Sequence, residues 1–269
     1  MTTNKMARSS AMTISAVTVN RVSLDAPWQW LSAGWRDFLA APHIGLVIGG
    51  VLAAVAAALT AGLFAYGLEA LILAFCGGFL LVGPIAAVAL YETSRRLERN
   101  GSVEFMEALA CVRRAPNQIL FFGAVLAFVY LIWLLLAFLL SMLFFGATGA
   151  PTARELVPTL LFTSDGLGLL VAGTSIGAML AAMIFAISVV SVPLLMLQPV
   201  DAVTAMGVSL SVVAYNPKPM LLWATLLAGM TAFGLATFFV GLIVVFPLVG
   251  FATWHAFRDL VRESPTDYL

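Results

Sequence analysis

The chain has 269 residues, of which 62% are hydrophobic and only 10% are charged, with a formal net charge of +0 and a mean hydropathy of +1.06. A soluble domain carries about 25% charged residues, so this composition excludes a water-soluble globular fold and indicates lipid as the natural solvent. The balanced charge also excludes a nucleic-acid-binding protein, which needs a basic face.

The N-terminal residues 1–24 form a polar segment rich in Ser and Thr. The segment lacks the continuous apolar run of a secretory signal, which predicts a retained cytoplasmic tail. Residues 25–269 are then expected to form a single transmembrane domain. Cys76 lies in an apolar run and Cys111 in a basic segment, so neither a disulfide nor a metal cluster is expected from them.

A helix needs about 20 mostly apolar residues to cross the hydrocarbon core of a bilayer. Segments that meet this requirement predict an all-α, polytopic helical bundle of about six spans. The segments are Ile44–Tyr66, Leu71–Tyr91, Ile119–Phe145, Leu169–Leu197, Met220–Thr237 and Phe239–Phe257. The last two are separated only by a tight turn predicted near Gly234–Gly241, and without that turn the count falls to five. The outer loop from Gly146 to Gly168 is either an ordered cap or a mobile connection.

The distribution of Lys and Arg predicts the orientation in the membrane, because cytoplasmic loops carry an excess of both residues. A cytoplasmic N-terminus places twelve basic residues inside and only Arg154 outside. The inner set is Lys5, Arg8, Arg21, Arg36, Arg95, Arg96, Arg99, Arg113, Arg114, Lys218, Arg258 and Arg262. This bias predicts a bacterial inner-membrane protein with both termini in the cytoplasm.

The chain repeats one pattern three times, in units 25–100, 101–200 and 201–269: an amphipathic segment, a proline break and a helical hairpin. The amphipathic segments read PWQWLSAGWRDFLAAPH, SVEFMEALACVRRAPN and DAVTAMGVSLSVVAYNP. Trp28, Leu31, Trp35 and Phe38 of the first recur at helical spacing, which is typical of a helix lying at the cytoplasmic headgroup boundary. Each hairpin is therefore expected to follow an interfacial helix.

A proline in the second helix of each hairpin lies at the same distance from an ionisable residue, and these residues are Glu92, Asp201 and His255. A threefold arrangement of hairpins would bring the three side chains to one level, where they could bind a divalent metal ion or relay protons. In the alternative interpretation, Glu92 pairs with Arg95 or Arg96, Asp201 caps the next helix, and His255 faces lipid headgroups.

The stretches WLSAGWRDFLAAPHIGLVIGG, GGFLLVGPIAAVALYETSRRLE and DAVTAMGVSLSVVAYNPKPMLLW resemble a family of bacterial integral membrane proteins of unknown function. The resemblance extends from about Pro27 to Leu260. Some members of that family are labelled as cytochrome c oxidase subunits. The catalytic core of such an oxidase needs several intramembrane histidines, whereas this chain has only His43 and His255, which excludes that role.

Two functions lead, and neither is enzymatic, because no catalytic or cofactor-binding motif is present. An intramembrane enzyme is the third hypothesis, and it would need a cluster of titratable residues inside a pocket. The leading hypothesis is an accessory or assembly subunit of a membrane complex, with the lipid bilayer and other subunits as partners and no cofactor. It is favoured by small-residue stripes typical of helix packing, Gly45, Gly49, Ala53, Ala57 and Ala61, and Gly173, Gly177 and Ala181. The alternative is a transporter or channel for lipids or small neutral solutes, with a path lined by Thr174, Ser175, Ser188 and Ser191.

Overall fold

The computed structural model describes residues 12–14, 17–68, 72, 75, 83–101, 103–108, 117–146, 151 and 153–263. The predicted second span, Leu71–Tyr91, is described only at residues 72, 75 and 83–91, and both Cys76 and Cys111 lie outside the described residues. The described helices, numbered in chain order, are α1 (Ala26–Ala40), α2 (Pro42–Ala65), α3 (Val88–Asn100), α4 (Asn117–Phe145), α5 (Ala153–Phe162), α6 (Ser164–Ser188), α7 (Ser191–Leu197), α8 (Ala202–Tyr215), α9 (Pro217–Ala236) and α10 (Leu242–Leu260).

Five helical segments within the described residues are long and apolar enough to cross a membrane. They are Pro42–Ala65, Asn117–Phe145, Ser164–Leu197, Pro217–Ala236 and Leu242–Leu260. Their order agrees with five of the six predicted spans, and the boundaries differ by a few residues. The all-α polytopic bundle is therefore confirmed, whereas the remaining predicted span, Leu71–Tyr91, is described only in part.

The tight turn predicted near Gly234–Gly241 separates α9 from α10. Phe238 and Phe239 both adopt positive φ angles, 53° and 69°. The hydroxyl of Thr237 donates to the carbonyl of Phe233 and accepts from the Gly241 N–H at 2.9 Å, which closes the turn. Hydropathy cannot locate this turn because its central residues are themselves apolar.

The predicted fourth span begins earlier than expected, at Ser164, and is interrupted near Val189 before it continues as α7. Pro193 explains the interruption, since its ring nitrogen cannot donate to the carbonyl of Val189 one turn back. In the loop predicted to lie outside, Ala153–Phe162 forms a helix, and the hydroxyl of Thr163 caps α6 by accepting from the Gly166 N–H. The described part of this loop is therefore an ordered cap.

Helix α10 lies at the centre of the bundle and packs closely against α1 and α2. A Cβ on Gly34 of α1 would lie 2.6 Å from the backbone nitrogen of Ala252, and one on Gly49 of α2 would overlap the carbonyl of Ile243. The first predicted packing stripe is therefore confirmed at Gly49. The second is only partly confirmed, because Gly177 meets the Trp133 ring whereas a Cβ on Gly173 would find no neighbour within 4 Å.

A three-stranded antiparallel sheet joins the two ends of the described chain. Strand β1 (Met12–Ile14) pairs with β2 (Val17–Val19), which pairs in turn with β3 (Val261–Glu263). Val17 and Val19 are buried. Composition predicted only a polar tail here, because a strand of three residues is too short to give a hydropathy signal.

Candidate functional site

Glu92 lies in the first half of α3 with its side chain only 2% exposed. Its carboxylate accepts from Arg95 Nε at 2.6 Å, from Arg95 Nη2 at 2.8 Å and from Arg96 Nε at 2.7 Å. Burial raises the pKa of Glu92, but the hydrogen bonds and positive charges of both arginines outweigh it and hold that pKa below its ordinary value. The local pairing expected in the alternative interpretation is therefore confirmed.

Asp201 is the N-cap residue of α8. Its carboxylate accepts from the Thr204 backbone N–H at 2.9 Å and from the Thr204 hydroxyl at 2.6 Å. These hydrogen bonds hold the pKa of Asp201 below its ordinary value, although the side chain is exposed to solvent. The predicted capping role is confirmed.

His255 belongs to a polar cluster that links three helices. Its Nε2 lies 2.8 Å from Asp37 Oδ2 on α1, and its Nδ1 lies 3.7 Å from Glu98 Oε1 on α3. The buried hydroxyl of Ser94 donates to the same Asp37 oxygen at 2.6 Å. The imidazole therefore links α1, α3 and α10, contacts that the expectation of a headgroup-facing His255 did not include.

The structure gives Glu92, Asp201 and His255 separate partners and does not bring them together. Among the described residues, no group of three or more His, Cys, Asp or Glu side chains could hold a metal ion. The reason lies in the helices that follow the prolines: α10 continues unbroken through Pro247, whereas α7 ends at Leu197, before Asp201. Equal spacing along the chain thus places the three residues in different settings.

The most distinctive feature of the bundle is an interhelical cavity of about 430 Å³. It lies between residues 83–91, α6, α9 and α10. Its small lining residues include Gly83, Ala87, Ala178, Ala181, Ala182, Ala224, Ala228 and Gly250. Ligand sites in proteins typically have volumes of about 300–1,000 Å³ and mostly apolar walls. Short side chains on facing helices leave this space open, although the sequence pattern indicated helix packing.

The cavity wall is apolar apart from a few hydroxyl groups. Thr225 and Thr253 donate to the carbonyls of Leu221 and Val249 on their own helices. The hydroxyls of Tyr91, Ser188 and Thr231, by contrast, form no hydrogen bond with any other described residue. The described lining residues include no Asp, Glu, Lys, Arg or His, so the cavity suits a neutral molecule that offers one or two polar groups.

Of the four residues predicted to line a transport path, Ser188 lies in the cavity wall. Ser175 and Ser191 instead donate to the carbonyls of Val171 and Ile187 one turn back along the helix. Each of these hydroxyls donates its hydrogen within its own helix, so that hydrogen is not available to a ligand.

A second cavity of about 220 Å³ lies beside the first, between α2, α10 and the residues around Gly83. Gly83 and Phe246 contribute to the walls of both cavities. Tyr130 closes one side of the second cavity and packs edge to face on Phe75, with ring centroids 6.3 Å apart. The two cavities therefore meet at Gly83 and Phe246.

Residues 71–197 match a family model described as a predicted integral membrane protein (DUF2189). This match confirms the resemblance to a family of integral membrane proteins, over a shorter part of the chain than the range from Pro27 to Leu260. It includes the whole of α3 to α7. No curated protein and no solved structure matches the chain.

Proposed function

We propose that this integral membrane protein binds a neutral apolar or amphiphilic molecule of the lipid class in the cavity between residues 83–91, α6, α9 and α10, and carries it within the membrane. The observation that supports the proposal is the 430 Å³ cavity with an uncharged wall. Charged groups at membrane depth usually mark ion and proton pathways. A wall without them favours a neutral ligand and assigns no catalytic role.

The neighbouring cavity suggests how a ligand would move. Because Phe246 and Gly83 border both spaces, a change of the Phe246 rotamer toward Gly83 would connect them. Among the described residues, a Cβ on Gly83 would find no neighbouring side chain within 4 Å, which leaves space for a ring on that side. Transport by this route would need only a side-chain rotation and a small displacement of helices.

The proposal is tested by photolabelling in proteoliposomes with a neutral fatty alcohol that carries a diazirine. Labelled peptides should include α6 and α9 at residues 178–188 and 224–231, and excess unlabelled alcohol should compete. Gly83→Phe should abolish this labelling because the new ring occupies the cavity. Gly229→Phe is the matched control, since Gly229 on α9 also has free space around it but does not line the cavity. Equal labelling of both variants and of the wild type would refute the proposal.

The accessory-subunit hypothesis, which the sequence favoured first, is the second candidate, and the exposed spans support it. Only 28% of the most apolar window of α2 and 22% of that of α4 are buried inside the protein. These surfaces contact lipid in the isolated chain and are large enough for another subunit to cover. Mild extraction followed by mass spectrometry tests this hypothesis: stoichiometric respiratory subunits would support it, and a protein that purifies alone would contradict it.

We also infer that the number of spans is even, because the pairing of β2 with β3 holds the two ends of the described chain on one side of the membrane. Five spans are described, so a sixth crossing between α2 and α3 satisfies this condition. The arginine distribution favours the cytoplasmic face of a bacterial inner membrane for that side. Reporter fusions at both termini that gave opposite signals would contradict the inference.

A further inference from the structure

A cleft of about 510 Å³ opens beside the sheet, on the side where the chain termini meet. Three arginines from different elements surround it: Arg99 of α3, Arg258 of α10 and Arg262 of β3. Its other lining residues are Val17, Leu194, Leu197, Gln198, Phe257 and Val261. We refer to this group of residues as the arginine cleft. It is separate from the apolar cavity and shares no lining residue with it.

The charges of the arginine cleft are poorly compensated by the rest of the described chain. Arg99 and Arg262 form no ion pair with any described residue. Arg258 lies 3.5 Å from Glu98 but remains 57% exposed, so this pair leaves the guanidinium accessible to a ligand. Guanidinium groups converging from three elements suit phosphate oxygens, which they can contact through pairs of N–H groups.

The other lining residues indicate what kind of anion fits. Leu194 and Leu197 come from α7, the inner end of the fourth span, and Phe257 lies one turn beyond Thr253 on α10. Apolar side chains thus lie beside the arginines where two spans reach the membrane surface. Basic pockets between transmembrane helices at this level bind phospholipid headgroups. A free phosphate ion would use the arginines but not the apolar wall.

We propose that the arginine cleft binds the anionic headgroup of a phospholipid, with the first part of its acyl chains against Leu194, Leu197 and Phe257. The lipid would fix the end of α10 and the sheet against the membrane surface. This site is independent of the ligand proposed for the apolar cavity, since that ligand is neutral and lies in a different part of the bundle.

The full chain in detergent micelles is titrated with short-chain phosphatidylglycerol, phosphatidylcholine or inorganic phosphate, and bound lipid is counted by native mass spectrometry. Phosphatidylglycerol should bind, and phosphatidylcholine should not compete. Each arginine near a headgroup contributes about fivefold in affinity, so Arg→Gln at all three positions should weaken binding on the order of 100-fold. The Arg36→Gln variant is the control, because Arg36 is an exposed arginine of α1 outside the cleft.

A triple Arg→Lys variant keeps the charge and serves if the Gln variant fails to fold; it should bind more weakly than wild type through loss of paired N–H contacts. Wild-type affinity in the folded triple Gln variant, or unchanged affinity in the Lys variant where only that one folds, would overturn the proposal.

An equal loss in Arg36→Gln would show a general surface charge rather than a site. Binding of inorganic phosphate that displaces the lipid at similar concentrations would assign the cleft to a free anion instead. Labelling of the apolar cavity should be unchanged in these variants, which separates a failure here from a failure of the proposed function.

Discussion

Replacing Glu92 with Gln should destabilise the bundle by removing the negative charge between Arg95 and Arg96. The carboxylate accepts three hydrogen bonds of 2.6–2.8 Å, and a hydrogen bond to a charged group contributes about 1.5–3 kcal/mol. Gln retains one acceptor oxygen, and both arginines keep more than a quarter of their side-chain surface exposed, so they can recover some hydration. We therefore expect a loss of about 2–4 kcal/mol in the free energy of unfolding.

The pH dependence of this loss has a definite sign. Because the folded-state pKa of Glu92 is lowered from its ordinary value of 4.5, its contribution is complete above pH 4.5 and disappears as the pH falls through the lower folded-state pKa. The gap in melting temperature between wild type and Glu92→Gln should be constant from pH 7 to 5 and should shrink on further acidification. The other carboxylates titrate in both proteins, so their effect cancels in the difference between the two melting temperatures.

Intrinsic tryptophan fluorescence in detergent micelles measures the melting temperature, and a loss of 2–4 kcal/mol corresponds to a decrease of about 5–10 °C. Glu107→Gln is the matched control. Glu107 also pairs with Arg96, but its side chain is 49% exposed, and such a surface pair contributes less than about 1 kcal/mol. The reasoning is refuted if Glu92→Gln melts at the same temperature as Glu107→Gln, or if its gap from wild type widens at low pH.

Two further substitutions test the packing of the bundle. Gly49→Leu should destabilise the protein by about 1–3 kcal/mol because its side chain would force α2 away from Ile243. A Cβ on Gly50 would meet no described residue within 4 Å, so Gly50→Leu is the control and should melt like wild type. Equal melting temperatures would contradict the close packing of α2 on α10. Asn216→Ala should cost about 1–3 kcal/mol, because it leaves the Val22 N–H without the side-chain oxygen that it contacts at 2.9 Å. Faster hydrogen exchange at Val22 should accompany that loss, and unchanged exchange would show that the bond does not hold the N-terminal segment.

The membrane class, the all-α fold and the approximate positions of the spans follow from the amino-acid sequence, because hydropathy is a local property and a bilayer fixes the length of a helix. The sequence also predicted the interactions within one turn of a helix. The pairing of Glu92 with Arg95 and Arg96 and the cap formed by Asp201 both follow from residues three or four positions apart.

Contacts between residues far apart in the chain could be found only from the folded structure. The contact between Asp37 and His255 joins residues 218 positions apart, and the sheet pairs Val19 with Val261. The cavity also depended on the fold, since Ala181 belongs to a small-residue stripe that is compatible either with close packing or with open space. In lipid the apolar pattern does not distinguish an inward from an outward face, because the solvent is as apolar as the core. Only the placement of the helices could show that the first stripe meets α10 at Gly49, whereas the second packs on Trp133 at Gly177 and borders the cavity at Ala181.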